Sequence, residues 1–436
     1  MDLHPGLNVL VGPNGVGKTN IVEALQLLTL IAKRPLNEAV GRLGGIGSIV
    51  TKGSRHSGQF TLGASGERLV LKEKFLSPTH RQLEERESLR GVLWAYYDYS
   101  VVIEADTDKL GVKEEKFRVW LRRVRRTKKV LHAVQEAASP DFVIDRALDD
   151  KGALRAKVGI HSRIPGTFDF QFQHRIESSL NGGFFGEGDT AGEKTLLFHA
   201  FQHSRWAFFE KILTDFELGE PFNILPGKVK EPLDVSSDQI IGPDGRGFAA
   251  ALRGLEKNIK AKARSKQDPS IDRFIRHVRL ANPAIESISA TVDAWESRLK
   301  ATVGIQSAEG QVSVPLSALS DGTLKWIALM MAIETDARML AIEEPENYVH
   351  PASQKILVEI LRTHLEVPSR AQEFILLTTH SETLINALTP SEIVVVMMEN
   401  GTTVTKRLND TKLLMEEIRK TGFGLGHYYL MGALDA

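Results

Sequence analysis

Gly12-Pro13-Asn14-Gly15-Val16-Gly17-Lys18-Thr19 is the stretch whose reading decides the fold. It follows Leu7-Asn8-Val9-Leu10-Val11, a short apolar run ending in glycine, which reads as a buried strand. After it, Ile21, Leu25, Leu28 and Ala32 fall at helical spacing, and Pro35 fits a stop just beyond. The spacing predicts a helix from about Lys18 to Lys33. Strand, glycine-rich loop and helix in that order match the phosphate-loop pattern in full. Gly12, Gly15 and Gly17 let backbone N–H groups turn inward around phosphate oxygens, and the helix N-terminus adds partial positive charge. Lys18 is expected to reach the β- and γ-phosphates and the Thr19 hydroxyl to bind Mg²⁺. Pro13, Asn14, Val16 and Asn20 complete the expected nucleotide-binding set.

A phosphate loop needs an acidic partner on a second strand. Met339-Leu340-Ala341-Ile342-Glu343-Glu344 supplies one, an apolar run leading into two carboxylates. Glu343 is expected to hold Mg²⁺, directly or through water, and Glu344 to act as general base on the attacking water. The bland alternative is a pair of solvated glutamates at a strand end. Leu319-Ser320-Asp321-Gly322-Thr323 precedes a helix, with Ser320 or Asp321 as its N-cap. Its functional reading is a second anion site aimed at a γ-phosphate. Phe374-Ile375-Leu376-Leu377-Thr378-Thr379-His380-Ser381 is a buried strand delivering polar residues to its C-terminal end, the edge where open α/β sheets bind ligands. A histidine standing alone in this way is more often structural.

The elements around these segments alternate. Helices are expected near 323–334, 352–365 and 381–388, and strands near 374–377 and 393–398. Asn400-Gly401 turns the last of these into a hairpin with 402–408. Such alternation argues a mainly parallel sheet covered on both faces. Further upstream, 58–75 and 95–105 read as strands and 248–264 and 269–281 as helices. Gly182 to Gly188 reads as a glycine-rich loop.

Composition narrows the class. The chain has 436 residues, 42% hydrophobic and 25% charged, as for a globular protein with a large core. Lys and Arg total 55, as do Asp and Glu, so no protein-wide basic field exists to draw in nucleic acid. With 0 cysteines, disulfides, zinc–thiolate sites and cysteine nucleophiles are excluded. No apolar stretch approaches the ~18 residues of a membrane span. The N-terminus lacks the features of a signal peptide. A cytoplasmic protein is expected.

The four segments together resemble the ATP-binding cassette ATPases, in the branch that contains the RecF, SMC and OLD ATPases. The likeness is strongest to small ATPases of the AAA family without a fused nuclease domain. Residues 6–33 and 315–408 carry it. Residues 236–260, with Gly242-Pro243-Asp244-Gly245, and the tail Gly424 to Tyr429 are also similar, whereas 78–235 match only loosely. The resemblance implies ATP and Mg²⁺ as ligands. It puts Ser320 and Gly322 in the signature motif that completes the site of the opposite protomer, hence a homodimer or higher oligomer with ATP at the interface. It makes His380 the switch histidine that contacts the γ-phosphate, and Asn347 to His350 a dimer-contact loop. Asp321 stands where the signature usually has glycine, and Glu343 where the commoner residue is Asp. Gln59 is the candidate for the Q-loop glutamine. Relatives usually carry a strand pair ahead of the phosphate-loop strand. Here the chain opens at Asp2-Leu3-His4-Pro5-Gly6, so either the start was assigned late or part of that subsheet, with residues near the adenine, is missing.

The expected fold class is therefore α/β, an ABC/SMC-head-like P-loop core with a long inserted α+β lid or arm. The expected division is 1–77 for the first half of the core, 78–235 for the insertion and 236–436 for the second half. Within the insertion, Lys116 to Lys129 has eight basic residues of fourteen and no acid. Read as a strand, it turns Phe117, Val119 and Leu121 inward and Arg118, Trp120 and Arg122 outward. An outward Trp between arginines suits a base and its phosphates, so DNA or RNA contact is one expectation. A solvated sheet edge protected by charge is the plainer one, and a protein partner a third. Two roles follow for the ATPase: a DNA-associated machine in repair or phage defence, or a nucleotide-gated switch holding a separate effector such as a nuclease or toxin. Membrane transport is a weaker third.

Overall fold

The computed structural model describes residues 1–49, 58–71, 92–106, 109–123, 139–150, 153–161, 170–181, 192–202, 210–262, 269–308, 310–335, 339–367, 373–408 and 412–434. Its strands are β1 (Gly6–Val11), β2 (Gln59–Leu71), β3 (Val92–Asp106), β4 (Lys109–Arg123), β5 (Phe142–Leu148), β6 (Leu154–Ile160), β7 (Leu233–Asp234), β8 (Ile285–Asp293), β9 (Arg298–Ser307), β10 (Gly310–Pro315), β11 (Leu340–Glu343), β12 (Phe374–Thr379), β13 (Ile393–Glu399) and β14 (Thr402–Arg407). The chain divides into one unit of Met1–Val22 with Leu218–Ala436 and another of Glu23–Glu217. These boundaries differ from those expected at 77 and 235. Residues 59–71 pair along their whole length with β3, inside the second unit. At the other end, Leu218 and Phe222 already bridge to Met339 and Ile342 of the first.

In the first unit, β11, β12, β1, β13 and β14 form one sheet in that order. Neighbours run parallel until β14, which returns antiparallel to β13. Asn400 and Gly401 make that return with φ of 49° and 79°, the left-handed pair that a two-residue hairpin turn needs. Successive residues of β1, β12 and β13 are buried, so both faces of this sheet are covered. Helices Phe248–Lys262, Pro269–Ala281, Asp321–Thr335 and Pro351–Leu365 share its core, which joins Leu252, Phe274, Leu329 and Leu357 to Val9, Ile342, Leu377 and Val395. Helix Asp321–Thr335 is buried without a break from Leu324 to Ile333. The Arg273 guanidinium grips Glu334 near its end at 2.6–2.9 Å. A second, antiparallel sheet joins β7, β8 and β10 around β9.

The second unit is an antiparallel sheet in the order β2-β3-β4-β5-β6. Strict alternation puts Tyr97, Tyr99, Val101, Phe117, Val119 and Leu121 into a core with Ile176, Leu196 and Leu197. The basic segment is a strand as far as Arg123, with Phe117, Val119 and Leu121 inward as the alternation predicts. Residues 124–129 lie outside the described residues, as does the glycine-rich segment 182–188. On the opposite face of β4, Arg118 lies 3.5 Å from Asp145 and Lys116 pairs with Glu114. Trp120 packs against Tyr96, ring centroids 5.3 Å apart. Gln59 opens β2 as an exposed strand residue of this unit, not a loop residue.

One charged pair sits inside that core. Glu115 and Arg146, on the neighbouring strands β4 and β5, are 0% and 2% exposed and 3.0 Å apart. Tyr99 and the Leu196 N–H also donate to Glu115, at 2.8 and 2.9 Å. Burial still pushes the Glu115 carboxyl above its ordinary range, with Arg146 opposing. Removing one partner of such a pair strands the other charge. Arg146→Ala should therefore cost about 3–5 kcal/mol of stability, read as a lowered urea midpoint; a loss below about 1 kcal/mol, the range of exposed pairs, would refute this account.

Candidate functional site

The phosphate loop leaves the C-terminal end of β1 and is seated against the β13–β14 hairpin. A Cβ on Gly12 would lie 2.5 Å from the Val396 carbonyl oxygen, and one on Gly17 would overlap the Thr403 hydroxyl. That hydroxyl donates to the Val16 carbonyl at 2.9 Å. Gly15 and Gly17 take φ of 85° and 99°, conformations that side chains disfavour. Pro13, Asn14 and Gly15 are exposed at the loop tip, as are Thr19 and Asn20 on the helix that follows. Lys18 is buried and folds back over the loop, its Nζ donating to Gly12 O at 2.6 Å and Pro13 O at 3.0 Å. Burial lowers its pKa, while Glu344 and Glu346 act in the opposite sense.

Glu343 closes β11, its N–H bonded to Phe222 O at 2.9 Å. Glu344 comes next with φ of 42°. Its N–H donates to Thr378 O and Oγ1 at 3.1 and 3.2 Å. Its carboxylate accepts from Asn347 Nδ2 at 3.0 Å, and its carbonyl accepts from Lys325 Nζ at 3.0 Å. Two residues on, the buried Glu346 accepts from Thr379 Oγ1 at 2.7 Å and from the His380 N–H at 3.0 Å. His380 Nδ1 lies 3.5 Å from Glu346 and 3.7 Å from Glu344. The histidine thus leaves the end of β12 between two carboxylates.

Ser320 acts as the N-cap of helix Asp321–Thr335: its Oγ accepts from the Thr323 N–H at 3.3 Å and meets the Thr323 hydroxyl at 2.9 Å. Gly322 packs so closely on the loop after β11 that a Cβ would lie 2.5 Å from Tyr348 O. Lys18, Glu343, Glu344 and His380 therefore share the C-terminal ends of three adjacent strands, β11, β12 and β1, while Gly322 adjoins the Glu344–Tyr348 loop. Glu346 and Lys325 had no place in the expected site. A lysine within the apolar run Leu324–Ile333 was the signal in the sequence for the second of them.

The donor set fits a nucleotide phosphate: a glycine cradle that side chains would fill, a buried ammonium, and carboxylates on a nearby strand. Among the described residues no cluster of three His, Asp or Glu is arranged to hold a metal ion alone. Thr19 and Glu343 carry oxygens of the kind Mg²⁺ takes, an ion that commonly uses one or two protein oxygens and completes its shell with water and substrate phosphate. No helix among the described residues is long and apolar enough to cross a membrane.

A family model described as "AAA domain, putative AbiEii toxin, Type IV TA system" matches residues 7–386. Among solved structures, the chain is similar to an SMC head bound to the C-terminal winged-helix domain of ScpA, at 13% identity and a TM-score of 0.45, covering 94% of this chain and 93% of that one. An SMC head with an extended coiled coil, bound to the C-terminal domain of ScpA and derived from Pyrococcus furiosus, matches at 12% identity and 0.43, covering 96% and 94%. The SMC head domain from Thermotoga maritima matches at 10% and 0.34, covering 94% and 92%.

The loop packing separates two glycines that the sequence pattern treats alike. A methyl on Gly15 would have nothing within 4 Å, so Gly15→Ala meets only its positive φ, a cost of about 1–2 kcal/mol. Gly17→Ala adds a collision with Thr403 to the same strain. Thermal melts should show a clearly larger loss for Gly17→Ala; equal losses would contradict the seating of the loop on β14.

Proposed function

The chain belongs to the AAA-domain family whose model spans residues 7–386, and on that premise we propose that it is a Mg²⁺-dependent ATPase acting as a nucleotide-driven dimer. The observation that carries this reading is the gathering of Lys18, Glu344 and His380 at three neighbouring strand ends, with Lys18 sensing the Glu344 and Glu346 charges. In it, the loop amides and Lys18 bind the β- and γ-phosphates. Glu344 accepts a proton from the attacking water, its carboxylate oriented by Asn347. His380 binds the γ-phosphate. Thr19 and Glu343 hold Mg²⁺, which when bound neutralises charge developing on the phosphate oxygens. Ser320 and the Gly322 backbone serve the nucleotide of the opposite protomer, so the dimer is two-fold and each surface both gives and receives.

For the biological role, a nucleotide-gated switch that holds an effector is the better supported reading. Two cations of the basic strand, Arg118 and Lys116, already face carboxylates on their own sheet, which weakens the case for a phosphate-tracking surface there. The family's description also names a toxin and a type IV toxin–antitoxin system. The rival reading, a DNA-associated machine in repair or phage defence, requires duplex DNA binding that weakens steeply with salt.

Lys18→Ala should abolish nucleotide binding. Glu344→Gln should bind ATP and lose turnover, because the phosphate cradle is intact and only the base is neutralised. Wild-type turnover by Glu344→Gln would remove Glu344 from the reaction.

The shared site is tested by mixing Lys18→Ala chains with Ser320→Arg chains, each inactive alone. A mixed dimer has one site with both defects and one with neither, so part of the ATPase activity should return. No return in proven heterodimers would count against a head-to-tail site.

A further inference from the structure

Helix Asp321–Thr335 is buried on every side from Leu324 to Ile333, and Lys325 is the charged residue in that stretch. It is 1% exposed. Removing an ammonium from water costs several kcal/mol unless protein groups replace the water. Burial pushes Lys325 down to about 8, against the pull of the Glu346 and Glu344 carboxylates. What faces the ammonium is the loop after β11. Its Nζ donates to the Glu344 carbonyl at 3.0 Å and lies 6.0 Å from the Tyr348 ring centroid.

That loop is strained at the residue whose carbonyl Lys325 holds and at the one whose ring its ammonium faces. Glu344 and Tyr348 have φ of 42° and 67°. Non-glycine residues held in this region cost of order 1–3 kcal/mol and persist only where their surroundings over-determine them. The Glu344 residue is held at both ends, its N–H by Thr378 and its carbonyl by Lys325 at 3.0 Å and the Asn347 N–H at 3.2 Å. Glu346 lies between the strained residues, and its Oε2 is buried with no hydrogen-bond partner among the described residues. An anion so placed suits a counter-charge for the lysine rather than a surface carboxylate. Gly322, one turn before Lys325, rests directly on Tyr348 O.

We infer that Lys325 is a positioning residue: it locks the Glu344 backbone in its left-handed conformation and ties the Ser320–Gly322 segment of a chain to that chain's own Glu344. This rests on the ATPase reading for the role of Glu344. In a head-to-tail dimer, Ser320 serves the nucleotide of one site while Glu344 acts on that of the other. Lys325 then carries the occupancy of one site to the base of its neighbour.

The test compares Lys325→Met, Lys325→Gln and Lys325→Arg with the wild type in three measurements. The first is amide hydrogen exchange without nucleotide. Lys325→Met should speed exchange at Glu344, Asn347 and Val349, whose N–H groups are bonded within or beside this loop, by about ten-fold or more, as local opening becomes easier. The second is affinity for a fluorescent ATP analogue, which should stay within about three-fold, since the phosphate cradle is untouched. The third is ATP turnover, which should fall by about ten-fold or more in kcat. Lys325→Arg keeps a charged donor and should recover most of both exchange protection and turnover. Wild-type exchange in a folded Lys325→Met protein would overturn the inference. So would a loss of ATP affinity equal to the loss of turnover, which marks general damage to the site. If Lys325→Met does not fold, Lys325→Gln, with a neutral and shorter donor, should show the same changes in smaller measure, and wild-type exchange there overturns the inference equally. Failure of the ATPase reading is separate: it appears as no turnover in the wild type, whereas the exchange measurement judges the clamp without nucleotide.

Discussion

Backbone must approach backbone at Gly12, where a single methyl would meet the Val396 carbonyl, and the loop comes as close again at Gly17, where a methyl would meet Thr403. Much else in the first unit follows from that closeness. The loop is supported from behind by β13 and β14, through Val396 and Thr403. Those strands are held in register by a tight turn at Asn400 and Gly401. β1 is in turn fixed between β12 and β13, so the loop, the Glu344 peptide and His380 emerge at one edge of one sheet. A glycine-rich loop alone is a flexible anion receptor; a glycine-rich loop pressed on a hairpin is a shaped one, with its ordering completed at folding rather than at binding.

The charges at that edge are arranged by depth. Glu346 and Lys325 are buried, whereas Glu344 and His380 are about one third and two fifths exposed. The deep pair cannot readily reach solvent or substrate and acts by holding backbone, on the His380 N–H in one case and the Glu344 carbonyl in the other. The shallow pair is free to meet a ligand. Low local dielectric strengthens both kinds of contact and makes any unmatched charge expensive. Three glutamates, a histidine and two lysines are thus found together at the end of an otherwise apolar sheet.

The second unit follows a different rule. Its sheet is antiparallel, with one apolar face, so alternation alone sorts its residues. The exception is the Glu115–Arg146 pair, fully inside, joined to Tyr99 and to the Leu196 and Lys194 backbone. These bonds tie β4 and β5 to the start of helix Leu196–Gln202. On the far face Lys116 and Arg118 are matched by Glu114 and Asp145, so these two cations of the basic run do not stand as free charges.

Local pattern was enough for much of this protein. The strand, loop and helix of the first 33 residues, the hairpin at Asn400-Gly401, the buried helix after Gly322 and the inward face of Phe117, Val119 and Leu121 were legible because each depends on residues a few positions apart: periodicity, a turn that needs left-handed backbone, glycines before a helix. The limits of the two units were less so, because the pairing of β2 with β3 and the bridge from Leu218 to Met339 join residues far apart in the chain. Helix 381–388 also shrinks to Glu382–Ile385, and the Asn386 side chain just beyond it accepts from the Gly426 N–H of the tail. The deepest gap concerned Glu346 and Lys325. Chemistry written in the sequence gives a residue its charge, but only the packing of helix Asp321–Thr335 onto the loop after β11 decides that these two charges are buried. A buried charge must find partners where an exposed one has water, and those partners come from wherever the fold brings them.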